Sequence, residues 1–321
     1  MKLGVLTVPY HAQSLEETLK YLSSLGVQAV ELGAGGYPGA GHINPQKLLS
    51  SEKELENLKN LLNKYDISIS ALSCHGNPVH PNKETARIAD ETFRTTVMLA
   101  KKLDVPTVVT FSGCPGGSPA DMQPNWVTCP WPDEFTEILK YQWNDVLIPY
   151  WKTASRFAKQ YGINIALEMH PGFCVYNPET LLKLRNAAGD NIGANFDPSH
   201  LVWQGMDIPM AIRELKGVIY HFHAKDTKID QFNTSRNGVL DTKHYGDEIN
   251  RSWIFRSVGC GMTREKWLEI ISALKLCGYD GVLSIEHEDS LMTRNEGLEK
   301  AVKFLKDIII FEEKPTGMWW A

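Results

Sequence analysis

Four apolar stretches of this sequence each run into a residue that can ligate a metal. Asn164 to His170 (N-I-A-L-E-M-H) carries Glu168, and Ile192 to His200 (I-G-A-N-F-D-P-S-H) carries Asp197. Val218 to Asp226 (V-I-Y-H-F-H-A-K-D) carries His223, and Val282 to Asp289 (V-L-S-I-E-H-E-D) carries Glu286. Two Glu, one Asp and one His form a mixed oxygen and nitrogen set suited to one hard or borderline divalent ion. Any one of them alone could be an ion pair or a helix cap. Four of them at equivalent places in four apolar runs argue for a shared site, because isolated carboxylates are costly to desolvate unless paired or bound to metal.

The elements that must position them follow from periodicity. Strand alternation puts Asn195 and Asp197 on one face, and Pro198 blocks further pairing, which leaves Asp197 at a strand's carboxyl end. By the same parity Glu168 shares its face with His170, His223 with His221 and Lys225, and Glu286 with Ser284 and Glu288. Upstream strands are expected over 3–8, 29–33, 67–75 and 107–113, with helices near 52–65, 84–103, 133–161, 178–188, 207–215, 263–276 and 294–311. Ser14 with Glu17 forms a capping box for the first helix. Eight strand–helix alternations predict an α/β chain, a single (β/α)8 barrel over 1–321, whose chemistry sits at the carboxyl ends of its strands. The polar insertion over about 227–262 reads as a lid, and the tail 312–321, with two adjacent Trp, as a segment packed on its own barrel or on another subunit.

Further residues point into the same mouth. His200 follows Asp197 by three positions, His75 and Glu31 end the third and second strands, and Lys225 can bind a substrate oxygen or pair with Glu288 or Asp226. The Trp and Phe residues of 111–131 could wall a sugar ring or hold their loop down, and Gly259 and Gly261 have the spacing of a weak phosphate-binding turn. Composition narrows the partners. A 43% hydrophobic and 22% charged chain can build a sizeable core, and a formal net charge of -5 offers no footprint for nucleic acid or an anionic membrane. No apolar run approaches the roughly 18 residues of a membrane span, and the sequence starts in a strand with no signal peptide. Six scattered cysteines without a C-x-x-C pair predict reduced thiols, a cytoplasmic location, and neither a zinc knuckle nor a disulfide framework.

Glu168 in L-E-M-H, Asp197-Pro-Ser-His200, His223-Ala-Lys225-Asp226, Val258-Gly-Cys-Gly261 and Ile285-Glu286 together resemble the sugar phosphate isomerase/epimerase group of xylose isomerase-like barrels. The resemblance implies that Glu168, Asp197, His223 and Glu286 bind one divalent ion, usually manganese, with zinc, magnesium or cobalt as alternatives. It also implies that His200 contacts a sugar or cyclitol. His75, His170 and Lys225 are expected beside it. Ketose epimerases of this group carry an arginine six positions after the metal His, where this chain has Ile229, so Arg251 or Arg256 is the expected replacement. The chemistry expected is proton transfer at a carbon next to a carbonyl, with Glu168 and Glu286 as base and acid. Epimerisation, isomerisation and an inosose-type dehydration share these groups, and a phosphodiesterase of the endonuclease IV class is the remote alternative.

Overall fold

Aliphatic strands buried on both faces need an outer cover of helices and a filled interior, and the fold supplies both. The computed structural model of the chain describes residues 1–313, 317, 318 and 320. The strands, in chain order, are β1 (Lys2–Leu6), β2 (Ala29–Gly33), β3 (Ser68–Ser73), β4 (Thr107–Phe111), β5 (Asn164–Glu168), β6 (Ile192–Phe196), β7 (Ile219–Ala224), β8 (Asp226–Ile229), β9 (Trp253–Arg256) and β10 (Val282–Ile285). Eight of them close a parallel barrel in the order β1-β10-β7-β6-β5-β4-β3-β2, while β8 and β9 form a separate antiparallel ribbon. The expected (β/α)8 barrel is therefore present.

Helices form where the sequence provides caps and an apolar stripe. Ser14 and Glu17 make the predicted capping box on Leu15–Ser24, and Asn82 caps Lys83–Lys102, which buries Phe93, Val97 and Ala100. The stretch read as one helix over 133–161 comes in three pieces: Glu134–Tyr141, a π-helical Gln142–Leu147, and Ile148–Gln160. Pro149 opens the last piece, and having no N–H to give, it sits where the hydrogen-bond ladder changes.

The strand ladders stop earlier than the alternation of the sequence does. Runs expected to end at His75, Gly113, His170, Asp226 and Asp289 leave the barrel at Ser73, Phe111, Glu168, Ala224 and Ile285. At the mouth, polar residues take side-chain partners in place of the ladder, and Asp226 instead opens the ribbon. Register places Glu168 beside Asn195, Asn195 beside His221, and Ser284 beside His223. Irregularities in pairing fall between Val30 and Glu31 and between Ala194 and Asn195, two points where a polar side chain enters the barrel.

The insertion read as a polar lid has a core of its own. Trp203 and Trp253 stack at 4.5 Å, and Phe255 joins them in a small cluster beneath the ribbon. In the tail, Trp320 is 68% exposed, so it does not pack on the barrel as expected, and Trp319 lies outside the described residues. No helix among the described residues is long and apolar enough to cross a membrane.

Candidate metal centre

Four neighbouring barrel strands deliver the four expected ligands to one place. Glu168 ends β5, His223 points inward from β7, and Asp197 and Glu286 follow β6 and β10 directly. Asp197 also starts the short helix Pro198–Val202, its Oδ1 accepting from the Ser199 N–H at 2.8 Å. One ligand atom from each of Glu168, Asp197, His223 and Glu286 lies within 4.8 Å of the others. Glu168, Asp197 and His223 are buried, and the Glu286 side chain is 16% exposed, which makes it the ligand nearest the opening.

The donor set fits a divalent cation. Asp197 Oδ2, His200 Nε2 and His223 Nδ1 are buried and make no hydrogen bond. Beside His223 Nδ1 lie Glu286 Oε2 at 3.0 Å and Glu168 Oε2 at 3.2 Å, and Lys225 Nζ stays 3.6 Å from Asp197 Oδ2. Three carboxylates around one imidazole leave the cluster short of positive charge. Burial, then the charges of Glu168 and Glu286, push the Asp197 carboxyl up to about 7 against the pull of Lys225 and His223. Burial opposes charge on His223, yet Glu31, Glu286 and Glu168 raise it well above the ordinary histidine range. Without a cation the cluster therefore holds protons, which a bound metal would displace.

The expected surrounding residues divide into those the fold brings in and those it does not. His75 Nε2 lies 3.0 Å from Glu168 Oε2, and His200 Nε2 lies 3.2 Å from Glu168 Oε1 and 3.3 Å from Asp197 Oδ2. The His170 ring stands 4.0 Å from that of His200. Lys225 is buried, with its ammonium 2.6 Å from Glu288, 3.3 Å from Glu286, and 4.3 Å from the Phe255 ring centre. Arg256 is held elsewhere, its Nε on Asp289 Oδ2 at 3.0 Å. Arg251 is buried between Tyr245 and Trp253, 4.4 and 4.6 Å from their ring centres, and bonds the Lys243 and Trp253 carbonyls. Arg251 is thus matched by groups of the insertion, whereas Arg256 gives its Nε to Asp289 at the mouth.

The Gly259 and Gly261 turn holds no space for phosphate. Its anion is the chain's own Asp226, whose carboxylate accepts from the N–H groups of Thr227, Gly259, Gly261 and Met262 and from Trp267 Nε1, all at 2.8–3.0 Å. A Cβ on Gly261 would meet Thr227 O at 2.5 Å and Asp226 Oδ1 at 2.6 Å, which is why glycine stands there.

Beside the cluster, reached through His170 against His200 and Glu288 against Lys225, lies a cavity of about 440 Å³ bordered also by Tyr245, Ile254, Phe255 and Ser290. Its aromatic wall comes from the insertion, a feature whose only sequence signal was the W-I-F-R run inside a polar stretch. Of the aromatic residues in 111–131, Phe111 borders the ligands, stacked on Phe173 at 4.3 Å and edge-on to His75 at 4.5 Å. Trp126 instead packs on Tyr176, and Trp131 is exposed. Glu31, read as a lone residue, proves to be buried at the barrel centre with its Oε2 2.8 Å from His223 Nε2.

Residues 19–308 match the model of the xylose isomerase-like TIM barrel. The chain is 40% identical over 312 residues to the uncharacterized protein YfiH of Bacillus subtilis (strain 168), covering 96% of this chain and 99% of that one. It is also similar to the solved structure of a D-tagatose 3-epimerase-like protein, with a TM-score of 0.63 at 23% identity over 96% of this chain and 98% of that one. A third similarity is to the IOLI protein with a binding zinc atom, with a TM-score of 0.64 at 22% identity over 96% and 98% of the two chains.

Proposed function

The chain belongs to the xylose isomerase-like TIM barrel family, and on that premise we propose that it is a metal-dependent isomerase or epimerase of a sugar, keto-sugar or inosose. In this proposal residues 1–321 work as one domain, with 227–262 as the lid over the substrate. The observation that carries it is the convergence of Glu168, Asp197, His223 and Glu286 within 4.8 Å, with a buried carboxylate oxygen and a buried imidazole nitrogen left without hydrogen bonds. These four would hold one divalent ion, manganese by family resemblance, which when bound supplies positive charge where negative charge develops on the substrate oxygen.

The chain's own groups move the proton and exclude water. Burial disfavours the charged form of Glu168, but the imidazoles of His200, His223 and His75 around it hold its carboxyl well below the usual range, so it starts ionised and able to accept a proton. Glu286 is likewise held low against burial, by Lys225 and His223. One carboxylate removes the proton next to the carbonyl and the other returns it, to the opposite face for epimerisation or to the neighbouring carbon for isomerisation. Lys225 stays charged beside them and is placed to hold a substrate oxygen, with His170 on the cavity wall and His75 and His200 against Glu168. Phe255 and Tyr245 wall the cavity from water. Cysteines that are all unpaired suit a reducing compartment such as the cytoplasm.

The test is solvent exchange. Protein loaded with manganese is incubated with a panel of keto-sugars and inososes in deuterated water, and deuterium is expected at the carbon next to the carbonyl of at least one. Elimination of water from the same substrate would identify a dehydratase instead. Absence of exchange across the panel, with metal shown to be bound, would reject proton transfer at this site.

A further inference from the structure

Glu31 is a fully buried carboxylate whose contact with the ligand set runs through His223. We propose that Glu31 is the positioning residue of the metal centre, fixing His223 so that its Nδ1 lone pair faces Glu168, Asp197 and Glu286. The inference rests on the assignment of those four residues as metal ligands.

The hydrogen bonds beneath the ligands have a definite polarity. Glu31 Oε1 accepts from Ser73 Oγ, and Oε2 accepts from Ser284 Oγ at 2.8 Å and from His223 Nε2 at 2.8 Å. A ring that gives its Nε2–H to this carboxylate presents Nδ1 as the free ligand nitrogen, and a charged acceptor makes that nitrogen a better ligand. A parallel relay lies beside it. His221 Nδ1 donates to Asn195 Oδ1 at 2.9 Å and Asn195 Nδ2 donates to Glu168 Oε2 at 2.9 Å, while His221 Nε2 lies 3.2 Å from Ser70 Oγ, whose own O–H goes to the Val30 carbonyl.

Two of the four ligands are thus oriented by a polar layer below them, of which Glu31 is the charged member. Glu31, His221 and His223 also bring three ligand-type atoms within 4.8 Å of one another. A second metal there is disfavoured, because both nitrogens of His221 already face Ser70 and Asn195. A buried carboxylate adds little to stability compared with an apolar side chain of similar size. Its place at the barrel centre therefore points to the orientation of His223 as its role.

The test compares manganese affinity, by electron paramagnetic resonance of free manganese, in wild-type protein, Glu31→Gln and Glu31→Leu. Loss of a partner that orients a metal-bound His typically weakens binding about ten- to a hundredfold, and this is expected for Glu31→Leu. Glu31→Gln keeps an acceptor for His223 and should recover most of that loss. The metal-free variants should melt within a few degrees of wild type, which a merely structural role would not allow. A folded Glu31→Leu protein with wild-type affinity would overturn the inference.

Should that variant not fold, zinc-loaded wild-type protein decides the matter by nitrogen-edited NMR of the imidazoles. An exchange-protected Nε2–H, absent in His223→Ala, is expected; a proton found on Nδ1 would overturn the inference. Wild-type protein that binds no metal would overturn the ligand assignment itself. Wild-type binding that Glu31→Leu leaves intact would overturn only the role of Glu31.

Discussion

Asp197 and Asp226 are both fully buried aspartates at the mouth of the barrel, and their surroundings are opposite. Asp226, at the root of the lid, accepts hydrogen bonds from four backbone N–H groups and an indole N–H. Asp197, at the end of β6, has one backbone N–H for Oδ1 and none for Oδ2, and it faces two further carboxylates. A buried carboxylate whose oxygens are saturated by its own chain is complete as structure. One with an open oxygen among like charges calls for a cation. The contrast separates the anchor of the insertion from the proposed metal centre, although both lie in short D-containing motifs that look alike on paper.

The comparison is sharpest where chemistry is lost without loss of fold. With saturating manganese, Glu168→Gln and Glu286→Gln should each lower turnover by roughly a hundred- to ten-thousandfold while leaving the thermal midpoint close to wild type. Near-normal turnover with metal bound would move the proton work to His200 or Lys225.

Next come the two aspartates themselves, whose Asn variants should show inverse defects. Asp226→Asn places an amide NH2 against N–H donors and should destabilise the chain by about 3 kcal/mol in denaturant unfolding, with manganese affinity of the folded protein unchanged. Asp197→Asn should abolish tight manganese binding and leave unfolding unaffected or slightly improved, since it removes a buried charge crowded by the Glu168 and Glu286 carboxylates. Similar defects in both variants would erase the distinction drawn between the two sites.

A smaller effect is expected from pH. Asp197 is pushed up to about 7 by burial and its carboxylate neighbours, and His223 is raised as well, so below that range a metal must displace protons from both. Manganese affinity should fall as pH drops through about 7, and titration calorimetry in buffers of different ionisation heat should detect protons released on binding.

The smallest effect concerns the lid alone. Burial works to raise the Asp241 carboxyl, but Lys243 and the Ser252 N–H outweigh it and hold the group down to about 2. Because the folded value lies below the ordinary one, its contribution to lid order is complete above the normal carboxylate range and is lost as pH falls toward 2. Trp253 fluorescence, which reports the lid cluster, should change over that interval. An Asp241→Asn lid with an unaltered acid transition would show that other groups control it.

Much of the barrel was legible because its signals are local. A period of two set which residues of N-I-A-L-E-M-H or I-G-A-N-F-D-P-S-H share a face, and a Pro after Asp197 marked where the strand must stop. Caps such as Ser14 with Glu17 lie within one turn of helix. The eight alternations therefore led to the fold, and the four strand-end ligands to the place where they meet.

What only the tertiary structure decided is the partner of each charged group. Whether Glu31 is a lone strand-end residue or the acceptor for His223 depends on closing a barrel across 192 positions of sequence. Whether Gly259 and Gly261 cradle a phosphate depends on Asp226 arriving from 33 and 35 positions away to fill the turn. Arg251 and Arg256 were free cations in the sequence, yet folding stacks one between Tyr245 and Trp253 and pairs the other with Asp289. A side chain's type and face are local properties of the chain. The electrostatic and hydrogen-bonding environment that makes it a ligand, an anchor or a support is a sum over neighbours that only the closed fold brings within a few ångströms.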